Sequence, residues 1–179
     1  MKSKDVPLSE ITLRKYERPY QTDGRDLVSK LCLSVGLLQP GDSRDVVVDI
    51  FMVLLRDKKL SVPQIEKAVI ESRKLHKLPL LGIAQSNIRR QLRRLRELYL
   101  IQKVASNYRI HENELMSNIY KEKVEHFLLK SIKDRVEEYF KCIDEKFLSK
   151  SSSSAAPSPK KEEQASYAVL SGAEYESFQ

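Results

Sequence analysis

The feature that most constrains the fold is a short stretch, 86–99, that combines a strict apolar stripe with a cluster of arginines. Its apolar side chains recur at steps of four, three and four residues, at Ile88, Leu92, Leu95 and Tyr99. This spacing is one face of an α-helix. The other faces carry five arginines: Arg89, Arg90, Arg93, Arg94 and Arg96. Such a helix buries one side in a protein core and presents the other to water or to an anionic partner.

Other segments also have helical patterns. One runs from Arg25 to about Gly36, and a second follows the turn 39–43, reaches about Lys58 and is apolar nearly all round, which predicts a central place in the core. A third begins at Ser61–Pro63 and ends near His76, with proline suited to the first helical turn. The stretch 9–16 could form a further short helix. The segment 113–148 has no proline or glycine and predicts one long amphipathic helix, or two separated near 129–131.

Two short strands follow the arginine-rich helix. Residues 100–104 and 107–110 read as a β-hairpin joined at Ala105 and Ser106, where Asn107 would tolerate a positive φ. The chain has only 5 glycines and no tryptophan, which argues against an all-β protein. We therefore expect a mainly α fold with a single hairpin.

The positive charge lies in the part of the chain that is predicted to fold. The protein has 179 residues and a formal net charge of +7. From residue 149 onward three lysines and four glutamates give −1, which leaves +8 in residues 1–148. The segment 149–179 begins with a run of serines and prolines and is predicted to be a disordered tail. A basic folded part is the electrostatic footprint that phosphate binding requires, although many basic proteins never contact nucleic acid.

The order helix, arginine-rich helix, hairpin is that of a helix-turn-helix with a wing. The stretch from Ser86 to Ile101, continued through the hairpin to Ile110, resembles winged helix-turn-helix transcription regulators of bacteria and archaea. The resemblance covers roughly residues 43–112, and the segment 77–85 is longer than the turn of most members. It implies a three-helix core with a β-hairpin wing. Residues 1–40 lie outside the resemblance; the sequence pattern adds an extra N-terminal helix, which gives a predicted domain 25–112, preceded by a partly ordered arm, 1–24. The resemblance also implies that 62–76 crosses the DNA backbone and 86–98 enters the major groove.

The candidate DNA-binding residues lie on this helix and on the hairpin. Arginine can pair with guanine through two hydrogen bonds, and asparagine or glutamine can pair with adenine in the same way. The predicted base-reading residues are Gln85, Ser86, Asn87, Arg89 and Arg90. Further candidates for groove or phosphate contact are Arg93, Arg94, Lys103, Asn107 and Arg109. Ser43 and Arg44, at the start of another helix, are also placed for phosphate.

The C-terminal stripe predicts an interface. Its residues Ile132, Val136, Tyr139, Ile143 and Phe147 recur near the 3.5-residue period of a coiled coil. We expect a homodimer, because two half-sites increase affinity for DNA. The alternative is that the stripe packs on its own chain, against residues 26–38.

Catalysis is not expected. The three histidines are far apart, no phosphate loop or nucleophile motif is present, and Cys32 and Cys142 lie in apolar surroundings typical of reduced core thiols. Asp45 and Asp49 could hold a metal, but ion pairs with Arg44 or neighbouring lysines are the better interpretation. No metal or other cofactor is predicted. Two cysteines cannot make a disulfide framework and no apolar run is long enough to span a membrane, so we expect a reduced, intracellular protein. With DNA as the predicted partner, the expected location is cytoplasmic and nucleoid-associated.

Two alternative functions stay open. A winged helix can serve as a protein-interaction adaptor, with the C-terminal helix docked on a partner such as the transcription machinery. RNA binding is the third interpretation, since it relies on exposed aromatics and only Tyr99 and Tyr108 lie near the hairpin.

Overall fold

The computed structural model describes residues 5–148 and is mainly helical, with a small antiparallel sheet and a long C-terminal helix. The predicted tail, 149–179, lies outside the described residues. The α-helices are α1 Gly24–Ser34, α2 Val46–Arg56, α3 Val62–Leu75, α4 Gln85–Glu97, α5 Met116–Ile119 and α6 Lys130–Ile143. The strands are β1 Leu60–Ser61, β2 Ile101–Val104 and β3 Asn107–Ile110. Residues up to Tyr139 form one compact unit, and a second unit begins at Phe140.

Helix α2 lies at the centre of the core. Every residue from Val46 to Leu54 is buried, as the apolar pattern predicted. Helices α1, α3 and α4 all pack against it. The stripe of α4 completes this core, because Ile88, Leu92 and Leu95 are fully buried. Burying each of these side chains contributes about 1.5–3 kcal/mol.

Local sequence signals set the start of α3. The Ser61 N–H donates to Gln64 Oε1 at 2.8 Å, and the Ser61 hydroxyl donates to the same oxygen at 2.7 Å. Pro63 lies in the first turn, where its missing N–H costs nothing. The capping residues therefore stabilise the helix boundary that the sequence predicted.

The sheet has one strand more than predicted. Strands β2 and β3 form the expected hairpin, with Val104 opposite Asn107 across the two-residue turn. The positive φ of this turn, +55°, falls on Ala105 and not on Asn107. Strand β1 pairs with the other edge of β3, placing Leu60 opposite Tyr108. This two-residue strand is too short for a recognisable pattern, and only its pairing with β3 defines it.

The stretch 9–16, a candidate for a short helix from its sequence, is not helical. The Arg14 N–H donates to the Ser34 carbonyl at 2.8 Å, and its guanidinium donates to the Leu33 carbonyl at 2.9 Å. Contacts with the end of α1 thus replace the hydrogen bonds that a local helix would have made.

The C-terminal helix, which we define as residues 116–148, has no break near 129–131. Segments Tyr120–Leu129 and Asp144–Leu148 have π-helical hydrogen bonding, and Lys130 has helical angles of φ −59° and ψ −47°. Glu112 and Asn113, with φ of +51° and +55°, turn the chain before Met116.

None of the helices in residues 5–148 combines the length and apolar character that crossing a bilayer requires.

Candidate nucleic-acid interface

Helix α4 divides its arginines between solvent and protein. Arg89, Arg90, Arg93 and Arg96 are exposed, whereas Arg94 is half-buried. Within residues 5–148, no carboxylate forms an ion pair with the four exposed arginines. Because this exposed face bears four cationic groups and no neutralising partner, it has a strong positive potential.

The exposed arginines form two sets by their direction around the helix. Arg89, Arg93 and Arg96 are spaced i, i+4 and i+7, so they share one face. Arg90 lies about 100° further around. We call Arg89, Arg93 and Arg96 the outer arginines.

Arg94 faces the protein. Its guanidinium donates to the Gly36 carbonyl at 2.9 Å and to Gln91 Oε1 at 2.9 Å. It therefore connects α4 to the segment that follows α1. This role was not predicted from the sequence, which placed all five guanidinium groups outward.

The amides predicted to read bases are held by the protein itself. Gln85 Nε2 donates to Glu66 Oε2 at 2.8 Å, and Gln85 Oε1 accepts from Arg89 at 3.2 Å. Asn87 Nδ2 donates to the Gly82 carbonyl at 2.7 Å, and its oxygen accepts from Gln91. Base contact by either amide would require these bonds to open. Of the three first-turn candidates, only Ser86 is exposed.

The hairpin places its basic residues differently. Lys103 is exposed on β2, and Asn107 and Arg109 are half-buried on β3. With the Gln102 amide turned so that its oxygen faces Arg109, that oxygen accepts from Nε and Nη2, both at 2.7 Å. Arg109 is thus oriented by a cross-strand partner, whereas Lys103 is free to reach an external phosphate.

The carboxylates Asp45 and Asp49 form ion pairs, but with partners other than those predicted from the sequence. Arg25 Nη2 lies 2.6 Å from Asp45 Oδ2, and Arg25 Nε lies 2.9 Å from Asp49 Oδ1. Arg73 Nη1 contacts both carboxylates. The expected partners, Arg44 and neighbouring lysines, are wrong, because α1 and α3 deliver Arg25 and Arg73 to this face of α2. Within the described residues, no group of three or more histidine, cysteine, aspartate or glutamate side chains is placed to hold a metal ion.

This buried cluster controls the ionisation of its members. Burial opposes the charged form of Asp45, but hydrogen bonds from Arg25 and Arg73 outweigh it, so the Asp45 pKa is lowered. Burial likewise opposes the charge of Arg25, and hydrogen bonds to Asp49 and Asp45 outweigh it and raise the Arg25 pKa.

Burial also raises the pKa of the Cys32 thiol, to about 12. This thiol is protonated near neutral pH and is a poor nucleophile.

The predicted interface residues differ in exposure. Ile132 is half-buried and packs against the core. Val136 and Tyr139 are 46% and 67% exposed. In the second unit, Ile143 and Phe147 are also exposed. Earlier in the same helix, Val124 and Leu128 are buried.

No family model, curated protein or solved structure matches the chain.

Proposed function

We propose that the protein binds double-stranded DNA and acts as a cytoplasmic, nucleoid-associated transcription regulator. Helix α4 is then the recognition helix, α3 crosses the backbone, and the hairpin β2–β3 is the wing of a winged helix-turn-helix. The observation that carries this proposal is the exposure of four arginines on α4, unpaired by any acid in residues 5–148, opposite a fully buried apolar stripe.

The outer arginines suit a groove. Three guanidinium groups on one helical face can point at the floor of the major groove, where arginine pairs with guanine. We assign base reading to Arg89, at the N-terminal end of this face. Arg93 and Arg96, further along, are assigned to phosphates or to the groove edge.

Lys103 is the wing residue that best fits a phosphate contact. It is exposed, and no hydrogen bond or ion pair within residues 5–148 holds its side chain. A contact to phosphate carries no sequence information, so it strengthens binding to every duplex alike.

The test is a gel-shift and anisotropy series on the full chain. Duplexes selected from random DNA are compared with single strands and structured RNA of the same length. Log affinity should fall with log salt with a slope near −0.9 per neutralised phosphate. Arg89→Ala should cost about 1–3 kcal/mol and relax base preference, whereas Lys103→Ala should weaken all duplexes equally.

Arg56→Ala is the matched control, because Arg56 is exposed at the end of α2 and belongs to neither α4 nor the hairpin strands. It removes the same charge and should leave affinity nearly unchanged. If Arg89→Ala and Arg56→Ala bind the selected duplex equally well, α4 is not the reading helix.

We propose further that the protein is a homodimer joined through the C-terminal helix. The exposed apolar side chains of Val136 and Tyr139 support this, because such groups gain free energy when a partner covers them. Sedimentation velocity of the full chain tests it. Val136→Asp with Tyr139→Asp should give a monomer, whereas Ser131→Asp, also exposed on this helix, should not.

The same exposed side chains favour a second candidate, a protein-interaction adaptor. In that case the chain stays monomeric, DNA affinity is insensitive to Arg89→Ala, and a partner such as the transcription machinery covers Val136 and Tyr139. RNA binding ranks last, because the Tyr99 ring packs edge to face against Phe127 at 5.7 Å and Tyr108 is buried. Neither ring is free to stack on a base.

A further inference from the structure

A cleft of about 540 Å³ opens between the N-terminal half of α4 and the loop that precedes α2. Its charged and polar lining includes Asp42, Arg44, Ser86, Asn87, Arg90 and Arg94. We call it the arginine cleft. Arg44 comes from the loop, whereas Arg90 and Arg94 come from α4, so tertiary packing brings three guanidinium groups to one cavity.

The charge in the arginine cleft is not balanced. Its three arginines face a single carboxylate, Asp42, whose Oδ1 already accepts from the Arg44 backbone N–H at 2.9 Å. Within residues 5–148, the Arg44 and Arg90 guanidinium groups have no hydrogen-bond or ion-pair partner. Converging like charges are unfavourable unless an anion joins them.

The structure around the arginine cleft is well defined. Gly82, at φ +73°, lies so close to α4 that an added Cβ would be 3.0 Å from Asn87 Nδ2. The Asn87 amide holds this turn by donating to the Gly82 carbonyl. Arg94 is fixed by its bond to Gly36, so it contributes a positioned charge at the wall. Of the three arginines in the cleft, only Arg44 and Arg90 have guanidinium groups that are free to bind a ligand.

We propose that the arginine cleft binds a phosphate group. Two free guanidinium groups can each give a forked pair of hydrogen bonds to phosphate oxygens, the geometry for which arginine is best suited. The exposed hydroxyl of Ser86 adds a neutral donor, and the positive end of the α4 dipole reinforces the three charges. The volume suits a ligand larger than phosphate alone.

Two sources supply this chemistry: a phosphodiester of the DNA backbone and the phosphate monoester of a small molecule. The first rests on the proposed function, and the second does not. In both cases Arg90 contacts phosphate, and this assignment replaces the base-reading role that the sequence predicted for it.

The experiment is isothermal titration of the full chain with inorganic phosphate at constant ionic strength. Arg44→Gln and Arg90→Gln should each raise the Kd about tenfold or more, because each variant loses the charge-assisted hydrogen bonds of one guanidinium. Arg56→Gln is the matched control, since it removes the same charge from an exposed position at the end of α2 that does not line the cleft, and it should leave the Kd unchanged. All three exposed sites should tolerate glutamine, which thermal melting verifies.

Equal weakening by Arg56→Gln would overturn the proposal, because the affinity would then be a property of the whole basic surface. Absence of phosphate binding to the parent chain at millimolar concentration would also overturn it.

A competition distinguishes the two sources. If the cleft holds the DNA backbone, a saturating duplex should prevent phosphate binding, and Arg44→Gln should weaken the duplex complex. If it holds a monoester, phosphate and adenosine monophosphate should each bind as tightly with the duplex present as without it. Phosphate binding without any duplex binding would retain the cleft and overturn the DNA proposal alone.

Discussion

The guanidinium of Arg73 and the carboxylate of Asp49 form an ion pair in which both side chains are almost completely removed from solvent, at 1% and 0% exposure. Arg73 also donates from Nε to the Pro79 carbonyl at 2.8 Å. One side chain thus joins α3, α2 and the connection to α4. This buried pair therefore anchors the connection that leads into α4, the proposed recognition helix.

Asp49→Asn should lower the free energy of unfolding by about 3–5 kcal/mol, because it leaves Arg25 and Arg73 with insufficient negative charge in a buried site. The measurement is urea unfolding followed by circular dichroism. Asp134→Asn is the control: it breaks an exposed pair with Lys130 on α6 and should have a much smaller effect, because solvent screens exposed ion pairs. Equal losses of unfolding free energy in the two variants would mean that the buried pair stabilises the fold no more than the exposed one.

Stability should fall in acid because of Asp45. Its pKa is lowered in the folded chain from an ordinary value of 3.8. A carboxyl of this kind contributes its full stabilisation above its unfolded pKa and loses it as pH falls through the folded pKa. We expect the free energy of unfolding to drop as pH falls below the ordinary value and through the lowered pKa of the folded chain. Asp45→Asn should be less stable at neutral pH and show a shallower drop. An identical pH profile would refute this assignment.

The two cysteines should differ in reactivity. Cys32 is buried with its pKa raised to about 12, whereas Cys142 is exposed. Iodoacetamide at neutral pH should modify Cys142 in the native chain and Cys32 only in denaturant, because the thiolate is the nucleophile. Peptide mass spectrometry reports both sites. Native Cys142→Ser should take up no label; rapid modification of Cys32 in that variant would contradict the burial described above.

Two neighbouring arginines of α4 should have unequal effects on stability. Arg94→Ala removes the hydrogen bonds to the Gly36 carbonyl and Gln91 and should cost about 1–3 kcal/mol. Arg93→Ala changes an exposed side chain and should stay within about 0.5 kcal/mol of the parent. Thermal unfolding of both variants gives the comparison, and a larger loss for Arg93→Ala would contradict the inward direction of Arg94.

Much of the fold could be predicted from local patterns. The spacing of Ile88, Leu92 and Leu95 correctly predicted the buried face of α4, and the run Val46–Leu54 correctly predicted a central helix. The hairpin was predicted from two apolar strands, although its positive φ falls on Ala105. The stretch 9–16 was misjudged, because its hydrogen bonds go to residues of α1 and the following segment that are far away in sequence.

The candidate site was only partly predictable. The sequence indicated which helix bears the arginines, but not that Arg94 faces the protein or that Gln85 and Asn87 are already hydrogen-bonded. It also gave no sign that Arg44 and Arg90 share a cleft, because they lie on segments that only the packing of α2 against α4 brings together.

The amino-acid sequence by itself determined where helices and strands form and which face of each is apolar, because caps, turns and periodicity act over a few neighbouring residues. Tertiary structure alone decided which charges pair. Arg25 and Arg73 are 24 residues away from Asp49 on either side, and their meeting depends on how three helices pack. The same packing turns one arginine of α4 inward and leaves four outward, because a side chain's partners are set by its neighbours in space.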